Sequence, residues 1–65
     1  MKITVNGTAQ DVQASTLAAL LAELGYGEAK VATALNEGFV PSGFRASTPI
    51  TDGDRIEIVS PRQGG

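Results

Sequence analysis

Ser15-Thr16-Leu17-Ala18-Ala19-Leu20-Leu21-Ala22-Glu23-Leu24-Gly25 carries the most regular apolar period of the chain. Leu17, Leu20, Leu21 and Leu24 fall at i, i+3, i+4 and i+7, a complete apolar stripe on one side of a helix. Ala18, Ala19 and Ala22 supply helix propensity between them. Ser15 is placed to accept backbone N–H bonds as the N-cap, and Gly25 suits a left-handed stop. The spacing predicts one helix of about ten residues. Four leucines on one side need a sheet to lie against.

The segments upstream supply the start of that sheet. Lys2-Ile3-Thr4-Val5 alternates polar and apolar and is rich in β-branched residues, the pattern of a strand. Asn6-Gly7 follows at once and favours the positive-φ conformations of a type I′ hairpin turn. Thr8 to Val12 is then the returning strand, weakly apolar and suited to a sheet edge. A serine at a helix start also invites comparison with phosphopantetheine carriers. Acyl carrier domains have Asp-Ser-Leu there, whereas this chain has Ala14-Ser15-Thr16-Leu17, and they are all-helical. Capping accounts for Ser15 without that chemistry.

Downstream, beyond the loop Tyr26–Lys30, Val31-Ala32-Thr33-Ala34-Leu35 is nearly continuous in apolar character, which predicts a central strand with both faces covered. Asn36-Glu37-Gly38 is a turn, and Phe39-Val40 a short strand stopped by Pro41. Ser42 to Ser47 is expected to be irregular, with Phe44 anchoring it to the core. Thr48-Pro49-Ile50-Thr51 is extended. Asp52-Gly53-Asp54 signals a turn into the last strand, Arg55-Ile56-Glu57-Ile58-Val59. That strand alternates as the first does, which places the two side by side at the sheet centre. Asp52, Asp54 and Glu57 could suggest a cation site. Two carboxylates flanking a glycine belong far more often to a solvated turn, and no further ligands follow at calcium-loop spacing. No metal is expected.

Composition narrows the function. The 65 residues make one small domain, 42% of them apolar, without His or Cys and with net charge −2. The absent imidazole and thiol remove the commonest general base, nucleophile and metal ligands. Five scattered Lys and Arg residues give nucleic-acid binding no electrostatic support. No apolar run reaches membrane-spanning length, no leader is evident, and a domain without disulfides suits a reducing cytoplasm. Walker and dinucleotide glycine loops are missing too. The chain is expected to be no enzyme.

What remains is the end of the chain, Ser60-Pro61-Arg62-Gln63-Gly64-Gly65. It follows the last strand without a linker, and Pro61 cannot donate to a ladder. Six extended residues reach about 20 Å, enough to enter a partner's cleft while the folded body stays outside. A terminal Gly-Gly is the thinnest peptide available, able to pass a channel that any Cβ would block. In the free protein this end is expected to be disordered.

Taken together, the Asn6-Gly7 hairpin, the capped leucine helix, Ala34-Leu35-Asn36, Asp52-Gly53-Asp54-Arg55 and the terminal Gly64-Gly65 resemble the ubiquitin-like β-grasp sulfur carriers, and most closely those of thiamine biosynthesis. The resemblance covers the whole chain. It implies an α+β ubiquitin-like β-grasp, a mixed four- to five-stranded sheet with one main helix across one face. Residues 1–59 would form that domain and residues 60–65 a flexible carrier tail. The small subunit of molybdopterin synthase is a close relative, although it typically has aromatic and proline residues ahead of its Gly-Gly. A non-covalent β-grasp interaction module remains a third reading.

The resemblance further implies a carrier cycle. A ThiF-like adenylyltransferase, using ATP and Mg²⁺ that the carrier does not itself hold, would adenylate the Gly65 carboxylate. A persulfide sulfur from a donor such as a cysteine desulfurase would then displace AMP and leave a thiocarboxylate. Thiazole synthase would receive that sulfur. Gly65 is thus the attachment point, with Gly64, Gln63 and Arg62 as the recognised tail. A thin peptide needs remote binding surface to be positioned, and Val59, Glu57, Arg55 and Phe39 are the expected docking residues. The free carrier is expected to be a monomer.

Overall fold

A computed structural model describes residues 1–27 and 29–60 of the chain. Its elements are β1 (Lys2–Val5), β2 (Thr8–Asp11), α1 (Leu17–Glu23), β3 (Ala32–Leu35), β4 (Gly38–Val40), a 3-10 helix (Ser42–Ser47) and β5 (Arg55–Val59). The five strands form one mixed sheet in the order β2-β1-β5-β3-β4. β1 and β5 run parallel at its centre, and every other pairing is antiparallel. The expected edge position of the second strand and central position of the last both hold. No helix among the described residues is long and apolar enough to cross a membrane.

The core lies between α1 and one face of the sheet. Leu17, Leu20 and Leu21 from the helix meet Ile3 and Val5 of β1, Ile56 and Ile58 of β5, and Val12 and Ile50 from the connections. Alternation in β1 and β5 sends these residues to the helix side and leaves the opposite face of the sheet open. Leu24, the fourth leucine of the stripe, is only half-buried, because α1 ends a residue before it.

The helix stops as Gly25 predicts. Gly25 takes φ +91, its N–H donates to the Ala22 carbonyl, and the Tyr26 N–H donates to the Leu21 carbonyl. This is the paired arrangement of a Schellman motif. Its start differs from expectation. The cap is Thr16, whose hydroxyl accepts from the Ala19 N–H at 3.1 Å, and not Ser15. Tertiary pairing sets that choice. The Ser15 carbonyl accepts from the Ile50 N–H, and the Leu17 N–H donates to the Thr48 carbonyl. Thr16 is therefore held as extended chain, bridged to Pro49, and the helix cannot begin until Leu17.

Three further expectations need correction. Residues Ser42–Ser47 are a 3-10 helix and not irregular, and the Phe44 ring is 63% exposed and does not anchor them. The Phe44 carbonyl closes the turn locally, accepting from the hydroxyls of Ser47 and Thr48, and Arg45 ties the segment to the sheet by donating to the Val31 carbonyl and the Thr33 hydroxyl. β3 is an interior strand, but only one of its faces is covered. Thr33 is buried whereas Ala32 is exposed. Its run of small residues reflects an open face without bulk, not burial on both sides.

Both predicted turns between paired antiparallel strands adopt left-handed backbone. Asn6 and Gly7 take φ +51 and +84, as a type I′ hairpin requires. The β3–β4 turn is likewise two residues long, Asn36 and Glu37 at φ +50 and +74, so Gly38 opens β4. Asp52-Gly53-Asp54 is a turn in which each carboxylate accepts backbone bonds. Asp52 takes the Lys2 N–H at 2.6 Å, and Asp54 takes the Thr51 N–H at 2.8 Å.

Candidate functional site

β5 is the strand that leads toward the C-terminus, and it is held along both edges. On one side β3 pairs with its whole length, from Leu35↔Ile56 to Ala32↔Val59. At its start, the Asn36 side chain accepts from the Arg55 N–H at 2.9 Å and donates to Asp54 at 3.0 Å. That bond, with the Thr51 N–H as a second donor, holds the Asp54 carboxyl below its ordinary value. At its end, the Asn6 carboxamide meets Ile58. The last strand is thus a rigid root.

Alternation turns Arg55, Glu57 and Val59 to the open face, all three exposed. Register then brings Phe39 to the same face. Phe39 sits opposite Ala34, and Ala34 opposite Glu57, so the three make one row across β4, β3 and β5. Val59 sits opposite Ala32 one step along. The structure therefore places all four sequence-predicted docking residues on one surface. Phe39 is 70% exposed and Val59 62% exposed, an arrangement that water does not favour and a partner can cover.

Ala32 and Ala34 were not singled out by sequence reasoning. They form the floor between the two large apolar side chains, and their lack of bulk keeps the face shallow. The signal was present in the small-residue composition of β3 but pointed equally to burial. Arg55 adds a charged margin, its guanidinium 3.3 Å from the Glu37 carboxylate. Both members of the pair are exposed, so it stabilises the fold little and remains available to a partner. An open cleft beside this face is lined by Ala29, Lys30, Val31, Ala32, Ser42 and Arg45. Arg45 is committed there to the Val31 carbonyl at 2.6 Å and the Thr33 hydroxyl at 3.0 Å.

Arg62, Gln63, Gly64 and Gly65, the expected tail, lie outside the described residues. So do the expected effect of Pro61 on pairing and the expected disorder of the terminus.

Comparison with known proteins bears on what such a surface serves. The ThiS family model matches residues 3–65. A thiazole synthase of Paramagnetospirillum magneticum is 42% identical over 66 residues, which take in the whole of this chain. This chain spans only 20% of that relative's length. The crystal structure of thiamine biosynthesis protein ThiS from Geobacter metallireducens superposes with a TM-score of 0.85 at 29% identity, covering 100% of both chains. The solution structure of a thiamine biosynthesis protein from the same organism gives 0.80 at 28% identity, covering 100% of this chain and 88% of the other.

Proposed function

The chain belongs to the ThiS family, and from that premise we propose that it is the sulfur carrier of thiamine biosynthesis, acting through the Gly65 carboxylate. Residues 60–65 serve as the arm and the open face of the sheet as the handle. The family match across residues 3–65 carries this reading, since it takes in both parts.

The chemistry follows from the terminal group. A C-terminal carboxylate, with pKa about 3.3–3.7, is an anion at neutral pH and resists nucleophiles. A ThiF-like adenylyltransferase overcomes this with ATP and Mg²⁺. A carboxylate oxygen attacks the α-phosphorus, pyrophosphate leaves, and the acyl carbon acquires AMP as a leaving group. A persulfide, supplied by a donor such as a cysteine desulfurase, displaces AMP to give an acyl disulfide. A thiol then cleaves the S–S bond and releases the thiocarboxylate. The carrier brings no side chain to these steps, which suits a chain without His or Cys. Its contribution is positioning. Remote binding energy from Phe39, Val59, Glu57 and Arg55 orients the arm, and Gly64 and Gly65 present no Cβ to the channel walls.

Thiazole synthase is the proposed acceptor. In one relative, sequence similar to this whole chain forms a fifth of a protein called thiazole synthase. Joining donor and acceptor on one polypeptide raises their effective concentration, an arrangement that favours two components acting on each other.

The test is growth of a carrier-deficient strain without thiamine. Wild-type chain restores growth, whereas a Gly65 deletion or an uncleaved C-terminal tag does not. Equal rescue by all three overturns the reading.

A further inference from the structure

The β1–β5 ladder continues past the point where β1 itself ends. Parallel register pairs Thr4 with Arg55 and Val5 with Ile56. The Thr4 N–H donates to the Asp54 carbonyl at 3.0 Å, and the Asn6 N–H donates to the Ile56 carbonyl at 2.9 Å. In a parallel ladder the next donor is the Ile58 N–H, and its acceptor would be the main-chain carbonyl of Asn6. At Asn6, however, the chain enters the left-handed region at φ +51 and turns back into β2. The Asn6 side chain takes over. Its Oδ1 accepts from the Ile58 N–H at 2.9 Å, and its Nδ2 donates to the Ile58 carbonyl at 3.0 Å. A carboxamide has the donor and acceptor of a peptide unit, so it adds one more rung to the ladder.

A hairpin turn alone does not require this. Glycine would suit the positive φ at least as well, and it would leave both polar groups of Ile58 without this partner on the β1 side. Ile58 is buried and immediately precedes Val59 and Ser60. Without Asn6 the end of β5 would be held from the β3 side alone. We propose that Asn6 is a positioning residue: its carboxamide fixes the direction in which the chain leaves the sheet, and so fixes the approach of the arm to the adenylating enzyme. This deepens the sulfur-carrier reading and rests on it for its catalytic consequence.

Two variants of the full chain test it. Asn6→Gly keeps the turn's backbone freedom and removes the carboxamide. Asn6→Asp leaves an acceptor for the Ile58 N–H but, when ionised, sets a carboxylate oxygen against the Ile58 carbonyl. When protonated it regains a donor and mimics the amide. In Asn6→Gly, hydrogen exchange at the Ile58 amide should accelerate about tenfold, the scale set by losing one or two hydrogen bonds. The backbone order parameters of Val59 and Ser60 should fall with it. Adenylation by the cognate enzyme, measured well below the unfolding temperature, should lose about tenfold or more in kcat, since misplacement by ~1 Å can cost a hundredfold. KM should stay within about twofold, because the docking face is intact. At neutral pH Asn6→Asp, which keeps the acceptor but opposes the Ile58 carbonyl, should fall between wild type and Asn6→Gly in Ile58 protection and in the order of Val59 and Ser60, and should approach wild type as the acid protonates. Unchanged Ile58 exchange in Asn6→Gly overturns the proposal, as does unchanged kcat with exchange accelerated. A wild-type chain that is never adenylated overturns the carrier reading instead. The exchange and order measurements would then still decide whether Asn6 fixes the strand's exit.

Discussion

Arg45 donates from Nε to the hydroxyl of Thr33 at 3.0 Å, and that hydroxyl donates onward to the Val40 carbonyl at 2.9 Å. Thr33 is 2% exposed, the one buried polar side chain of the described core. Two neighbouring segments, β4 and the 3-10 helix, are thus tied to β3 through one oxygen. Thr33→Val preserves shape but removes that oxygen, leaving the Arg45 Nε–H and the Val40 carbonyl each short of a partner. Urea unfolding should show a loss of about 1–3 kcal/mol. Thr33→Ser keeps the hydroxyl and should lose less. Equal stability of Thr33→Val and wild type would show that the oxygen holds nothing.

Leu20 is fully buried under the sheet, and Leu24 is half-buried beyond the helix end. Leu20→Ala should therefore lose about 2–5 kcal/mol by leaving a cavity, a large share of a small domain's stability. Leu24→Ala should lose clearly less. Reversal of that order in denaturant melts would mean the helix packs by a different face.

Asp54 gives the fold a defined acid dependence. Hydrogen bonds from Asn36 and then Thr51 lower its folded-state pKa below the ordinary 3.8. A depressed folded pKa means the charged form is favoured in the native state. The stability this supplies is fully present above 3.8 and is lost as pH falls through the lower, folded value. Asp54→Asn should be less stable than wild type at neutral pH and should lose less on acidification. Parallel stability–pH curves for the two proteins would contradict it.

Much of this architecture was legible from local chemistry. The leucine period fixed the helix and its buried face, Asn6-Gly7 the first hairpin, and Gly25 the helix stop. The alternation of residues 55–59 identified the strand that carries Arg55, Glu57 and Val59. What escaped was whatever tertiary pairing decides. Ser15 and Thr16 are both competent caps, and only the pairing with Thr48 and Ile50 chooses between them. The Glu23 carboxylate, at the end of α1, accepts from the Gln13 and Ala14 N–H groups and ties the β2–α1 connection to the helix, a long-range contact no local pattern announces. Phe44 looked like an anchor because large apolar residues usually are, yet its ring faces outward. At the site, alternation put Arg55, Glu57 and Val59 together, but the place of Phe39 beside them depends on the β3–β4 register.

The open face should matter to partners and not to folding. Phe39 is mostly exposed, so Phe39→Ala should change unfolding free energy by no more than about 0.5 kcal/mol. The same change should raise KM for the adenylating enzyme. A synthetic peptide of residues 58–65 carries the arm without the face and should be a far poorer substrate than the folded chain. Equal kcat/KM for peptide and protein would leave the face without a role.

Gly64→Ala keeps the reach of the arm and adds one methyl group where a narrow channel has no room. Adenylation should fall sharply while the unfolding temperature holds. An unimpaired variant would mean that the enzyme's channel does not select for the absence of a side chain.

The claim on which all of this rests is that sulfur is carried on the Gly65 carboxyl. Intact-mass spectrometry tests it most directly, after incubation of the chain with an adenylating enzyme, ATP, Mg²⁺ and a sulfur donor. The wild-type protein should gain the mass difference of one sulfur replacing one oxygen. A chain lacking Gly65 falls about 3.3–3.6 Å short of the reacting position and should gain nothing. An unchanged wild-type mass, or the same gain in the shortened chain, would contradict the account.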